Sequence, residues 1–134
     1  MKLFVDDLRV PEDIYPGETD WHVARTVSEA IRLLATQDIS DVSIDHDIQC
    51  NAVMGGNGLY TGGHTSPETY EPVAWYLQAL LANNLPNSSI KRITLHSASF
   101  VGRKKMHDIL RILCMQHKIP LNELPGCPAS NPSV

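Results

Sequence analysis

The sequence predicts an α/β domain on a mostly parallel sheet of four to five strands, and three observations carry that prediction. Short apolar runs without helical period alternate with stretches whose apolar residues recur at helical spacing. Three of the apolar runs end in polar clusters, Asp6–Asp7, Asp45–His46–Asp47 and His96–Ser97, as strands of an open parallel sheet do where they leave the core. At 134 residues, 43% apolar and 19% charged, the chain has the size and balance of one globular unit.

The elements follow in order. KLFVD (2–6) is the first strand and WHVART (21–26) the second. His22 follows Trp21 and points to the opposite face. Thr26 with Glu29 has capping-box spacing, and EAIRLLATQ behind it places Ile31, Leu34 and Ala35 on one helical face. DVSIDHD (41–47) is the third strand. A helix within 66–84 buries Val73, Leu77, Leu80 and Leu81. It is capped by Ser66 with Pro67 at its first position, and Pro72 either kinks it or moves its start to about Glu71. IKRITLHS (90–97) is the fourth strand, and 99–117 the last helix, with Met106, Ile109, Leu110 and Leu113 facing inward. The domain is expected to span 1–118, and residues 119–134, rich in proline with one glycine, to form an irregular tail.

Charge and composition exclude several classes. A net charge of −4 and a pI of about 5.8 argue against general duplex nucleic-acid binding. No apolar run approaches the ~20 residues of a membrane span, and MKLFVDDLR meets acids too early for a signal peptide. Cys50, Cys114 and Cys127 form no CxxC pair and read as reduced thiols, so the expected location is cytoplasmic.

Strands of similar length in a parallel sheet bring their carboxyl ends to one edge, spaced roughly 5 Å per strand. Asp6, Asp7, Asp45 and Asp47 would then share a crevice with His46 and His96. Carboxylates held so close repel one another unless a cation neutralises them. Oxygen ligands suit Mg²⁺, Mn²⁺ or Ca²⁺, whereas added imidazole suits Mn²⁺, Fe²⁺ or Zn²⁺. Two further regions are candidates for ligand contact. The segment 50–68 carries five of the eight glycines, is long for a βα connection and contains His64, yet matches no nucleotide-binding fingerprint. GRKK (102–105) places Arg103, Lys104 and Lys105 in the first turns of the last helix, where anions are favoured. Arg9 and Arg25, near strand ends, are candidate phosphate contacts, while His22, His107 and His117 read as surface or structural residues.

The acidic pair after the first strand, the Asp ending the third and the Ser-Ala of LHSAS resemble the phosphoacceptor site of response-regulator receiver domains. The fuller wording, LFVDDLR-P, W-V-RT--EAI, S-DHD and HSAS--G---M, is similar to a divergent branch, the cyclic-phosphate processing receiver-like family, over about residues 2–107. The resemblance implies a flavodoxin-like, receiver-like three-layer sandwich and a metal-dependent site that handles cyclic phosphates of RNA ends or signalling nucleotides. It implies Asp6 and Asp7 as metal-binding acids, Asp45 as the phosphoacceptor position and Ser97 as the hydroxyl contacting the phosphoryl group.

The chain departs from the receiver pattern at its end. Receiver domains carry a lysine and a proline after a fifth apolar strand, whereas Lys118 and Pro120 here follow a helix, so the phosphorelay lysine is expected to be missing or replaced. His46 and His96 are additions that phosphorelay does not require and that hydrolysis could use as acid and base. The reading is therefore a phosphodiesterase-like hydrolase dependent on a divalent metal, Mg²⁺ or Mn²⁺. Its substrate would be a terminal 2′,3′-cyclic phosphate or a cyclic nucleotide. Asp6, Asp7, Asp45 and Asp47 hold the metal, His46, His96 and Asp45 do the chemistry, and Arg9, Arg25, Ser97, Arg103 and His64 bind substrate. The alternatives are a non-catalytic binder that sequesters a cyclic nucleotide and a degenerate receiver used for protein contacts.

Overall fold

The computed structural model describes residues 1–48, 69–83 and 89–124. Its elements are β1 (Lys2–Val5), α1 (Pro11–Ile14), β2 (Trp21–Ala24), α2 (Val27–Thr36), β3 (Asp41–Ile44), α3 (Glu71–Asn83), β4 (Arg92–Leu95), α4 (Phe100–Gln116) and β5 (Leu121–Glu123). The strands form one all-parallel sheet in the order β2-β1-β3-β4-β5. This order reverses direction at β1 and so creates a switch point between β1 and β3.

Alternation along the strands divides the interior. Leu3, Val5, Val42, Ile44, Ile93 and Leu95 face the helical layer. There they meet Ala30, Leu33 and Leu34 of α2, Val73, Leu77, Leu80 and Leu81 of α3, and Met106, Leu110 and Cys114 of α4. Each fully buried aliphatic side chain contributes about 1.5–3 kcal/mol of transfer free energy, so this layer dominates stability. The opposite face carries Phe4, Ser43 and Thr94, all buried. Tyr15, just past α1, covers part of it by stacking on Trp21 at 4.7 Å, and Phe4 meets Trp21 edge-on. Among the described residues the third layer is thus a single helical turn and its aromatic neighbour.

Local signals explain most boundaries. Thr26 Oγ1 accepts from the Glu29 amide and caps α2. Its inward face is Ala30, Leu33 and Leu34, while Ala35 is exposed. Pro72 does not kink α3, because it is the second residue of a helix that begins at Glu71. Ser99 caps α4 by accepting from the Gly102 amide.

Within the expected irregular tail, residues 119–124 continue the fold, and 125–134 lie outside the described residues. Lys118 adopts a left-handed conformation, φ 59°, and the Ile119 amide donates to the Cys114 carbonyl, which closes α4 and turns the chain. Leu121–Glu123 then add β5 beside β4, so the sheet ends past the expected boundary. The fifth strand exists, but it follows Lys118 and Pro120 instead of preceding them. The Ile93 amide donates to the Pro120 carbonyl, which puts both residues at the amino edge of the sheet. The Leu124 amide donates to the Leu95 carbonyl, so Glu123 and Leu124 stand at the carboxyl edge.

Candidate functional site

The ladder sets one row of residues across the carboxyl edge. The Asp6 amide donates to the Ala24 carbonyl, the Asp45 amide to Val5 and the His96 amide to Ile44, at 2.9–3.2 Å. Asp6, Asp45 and His96 are therefore adjacent by register. From this row Asp6, Asp7 and Asp45 each turn a carboxylate oxygen to a common point, all within 4.8 Å of one another. All three are buried or nearly so.

Asp6 is the most constrained. Its Oδ1 accepts from the amides of Leu8 (2.8 Å) and Arg9 (3.0 Å). Its Oδ2 accepts from Arg9 Nη1 and from His96 Nε2, both at 2.9 Å. Burial alone would raise its pKa, but the His96 bond and the two backbone amides outweigh that and hold the carboxyl well below the usual carboxylate range. Asp45 moves the other way: burial and the neighbouring Asp6 charge push its carboxyl up, against the smaller pull of His96, the His46 amide and Arg9. Arg9 Nη1 lies 2.9 Å from Asp6 and 3.3 Å from Asp45, so one guanidinium bridges both acids.

His96 does not reach the crevice. It is fully buried, stacks on Phe4 at 4.7 Å, and places Nδ1 2.7 Å from Ser43 Oγ. Ser43 Oγ in turn lies 2.9 Å from the Tyr15 hydroxyl. A continuous chain, Tyr15–Ser43–His96–Asp6, therefore runs beneath the acids. His46 turns toward the helices, with Nδ1 2.5 Å from Asp47 Oδ1 and Nε2 2.7 Å from Glu71 Oε2. The two histidines thus do not flank a common point.

Asp47 is also not part of the carboxylate cluster. β3 ends at Ile44, so strand alternation no longer governs 45–47, and Asp47 pairs with His46 while its backbone bridges to Thr69. Arg103 is buried in the first turn of α4. It donates to the Ser97 carbonyl (2.7 Å) and pairs with Glu123 (3.1 Å), tying β4 to β5 instead of facing a ligand. Arg25 donates to the carbonyls of Asp6 and Arg9 and so clamps the β1–α1 turn. Ser97 is buried, and its hydroxyl accepts from the Ser99 amide. His64 and the segment 50–68 lie outside the described residues. Sequence reasoning missed Ser43, Tyr15 and Glu71. Ser43 had a signal, because a hydroxyl between Val42 and Ile44 in an apolar strand needs a buried partner.

The donor set tests the implied metal. Among the described residues, three converging carboxylates fit a hard cation that takes oxygen ligands, Mg²⁺, Mn²⁺ or Ca²⁺.

No curated protein and no solved structure matches the chain. A family model described as the cyclic-phosphate processing receiver domain matches residues 1–112, which hold every strand that carries the row of acids. With a parallel sheet in receiver order, an acidic pair after β1 and an Asp after β3, the chain belongs to the cyclic-phosphate processing receiver domain family.

Proposed function

We propose that this domain binds a cyclic phosphodiester at the carboxyl edge of its sheet and hydrolyses it with a divalent cation, Mg²⁺ or Mn²⁺, held by Asp6, Asp7 and Asp45. The observation that carries the reading is the convergence of three carboxylate oxygens within 4.8 Å at the switch point of the sheet. Carboxylates so placed repel a phosphate, so an anionic substrate is compatible with them only alongside a cation. When bound, such an ion neutralises the acids and polarises the phosphoryl oxygen. Asp6 serves as the fixed charge, oriented by His96 and two amides. Asp45, whose carboxyl is pushed up by burial and by Asp6 while no cation is bound, is the acid whose charge a cation would relieve most. His46 and His96 become positioning residues, because each spends its ring nitrogens on partners within the fold.

The same observation favours a second reading, a non-catalytic binder, since neither described histidine at this edge is left to act as acid or base. One assay separates the two. The protein is incubated with Mn²⁺ and a panel of 2′,3′-cyclic phosphates and cyclic oligonucleotides, and products are read by mass spectrometry. New phosphomonoesters, lost in Asp45→Asn, are expected. Sub-micromolar binding with the ligand returned unchanged would replace the enzyme with the binder.

A further inference from the structure

We infer that Arg9 is a built-in occupant of the cation site, so that a divalent ion reaches Asp6 and Asp45 only by exchange with the Arg9 guanidinium. The inference rests on the reading of Asp6, Asp7 and Asp45 as a cation site and adds how that site is filled.

An ionised carboxylate offers about four acceptor positions. In Asp6 all four are in use: two by the amides of Leu8 and Arg9, one by His96 Nε2 and one by Arg9 Nη1. A cation that binds Asp6 must therefore replace one donor. The two amides belong to a turn that Arg25 clamps through the carbonyls of Asp6 and Arg9. His96 is fully buried, stacked on Phe4 and fixed on its far side by Ser43. The Arg9 side chain differs from these three. It is long and flexible and keeps 11% of its surface exposed, whereas the imidazole is fully buried.

Arg9 also bridges both acids, 2.9 Å from Asp6 and 3.3 Å from Asp45, as a cation between them would. Its single positive charge offsets part of the repulsion between the two acids. A divalent ion with three carboxylates nearby outcompetes one guanidinium on charge alone. The displaced guanidinium then sits at the mouth of the same site, where its fork geometry suits a phosphate. Exchange thus couples the two ligands: the cation releases the group that holds the anion.

The test uses the full chain and metal alone. Mn²⁺ is titrated calorimetrically into wild type, Arg9→Ala, Arg9→Lys and Asp7→Asn. In parallel, the arginine side-chain ¹⁵N resonances of wild type are followed during Mg²⁺ addition, with Arg9 assigned by its loss in Arg9→Lys. The exchange predicts that Arg9→Ala binds Mn²⁺ tighter than wild type by roughly tenfold or more, the size of one lost charge-assisted competitor. It also predicts that the Arg9 resonance moves as Mg²⁺ saturates the site. Tighter binding with an unmoved Arg9 resonance would show simple charge repulsion and overturn the exchange. Equal affinity in wild type and Arg9→Ala would overturn it as well. Should Arg9→Ala fail to fold, the wild-type resonance decides by itself. If no variant binds Mn²⁺, and Asp7→Asn matches wild type, the cation-site reading itself fails, an outcome distinct from a site that binds without exchange.

Discussion

Gly102 lies against the ring of His46: a Cβ at residue 102 would stand 2.4 Å from both Cγ and Nδ1 of the imidazole. The first turn of α4 is therefore shaped to the histidine that follows Asp45, and the ring is pinned on three sides by Asp47, Glu71 and this glycine. Gly102→Ala should gain helix propensity of about 1 kcal/mol yet lose more to the clash, because the atoms met are at the base of the ring and cannot swing away. A net destabilisation of about 1–3 kcal/mol is expected by urea denaturation. Adding His46→Ala should recover part of it. A Gly102→Ala variant as stable as wild type would show that the helix shifts freely against the site.

His96 and Asp6 form a pair with no exposed side-chain surface on either partner. His96→Ala leaves Asp6 buried and short of one donor while Arg9 and two amides remain, a change expected to cost about 1–3 kcal/mol. Combining it with Asp6→Asn should restore part of the loss, since the amide carries no charge, and a double-mutant cycle measures the coupling. A loss under about 1 kcal/mol would mean that water replaces the imidazole and that the histidine is not what fixes Asp6.

These pairs mark how far the sequence was legible. The positions of Asp6, Asp7 and Asp45 follow from apolar runs that stop at an acid, and register does the rest. The choice of partner does not follow. His96 is 90 residues from Asp6 in the chain, and Asp47 turns away because the strand has already ended. The capping role given to Thr26 and the start of α3 at Glu71 were readable, since both depend on local chemistry. The short α1 carried the start signal of Pro11 with Glu12 and Asp13 but is too brief to show a period. β5 was hidden twice. Its helix stops on a left-handed Lys118 instead of a glycine, and Leu121–Glu123 form a mostly exposed edge strand with little apolar character.

Cys114 faces the core from the last turns of α4. Burial raises its thiol from 9.0 to about 11. The folded state then keeps a proton that the unfolded state has released, so stability is level below pH 9.0 and falls as pH rises toward 11. Peptide mapping after iodoacetamide at pH 8 should find Cys114 unmodified in the native protein and modified in urea. Native labelling at the rate of an exposed thiol would remove this residue from the core. Cys114→Ala should flatten the alkaline slope between those two pH values.

Asp6 and Asp45 should contribute to stability with opposite dependence on pH. The carboxyl of Asp6 is held below its unfolded value, so its contribution is present above the usual carboxylate pKa of 3.8 and is lost as pH falls through the lower folded value. The carboxyl of Asp45 is raised, so its contribution is fully present below 3.8 and is lost as pH rises through the higher folded value. At neutral pH without metal, Asp45 therefore costs stability. Asp45→Asn removes that cost and can keep the bond from the His46 amide, 2.7 Å from Oδ1 in wild type, through its own amide oxygen. In EDTA at pH 7 this variant should melt above wild type, and the gap should close as pH falls and wild-type Asp45 takes up its proton. With Mg²⁺ added the order should invert, because only the charged form gains from the cation by mass action. Thermal melts of both proteins at two pH values, with and without Mg²⁺, test the whole pattern. An Asp45→Asn variant that melts below wild type in EDTA would mean that the Arg9 bridge outweighs the repulsion from Asp6, and that Asp45 is a settled ion-pair partner instead of a strained acid.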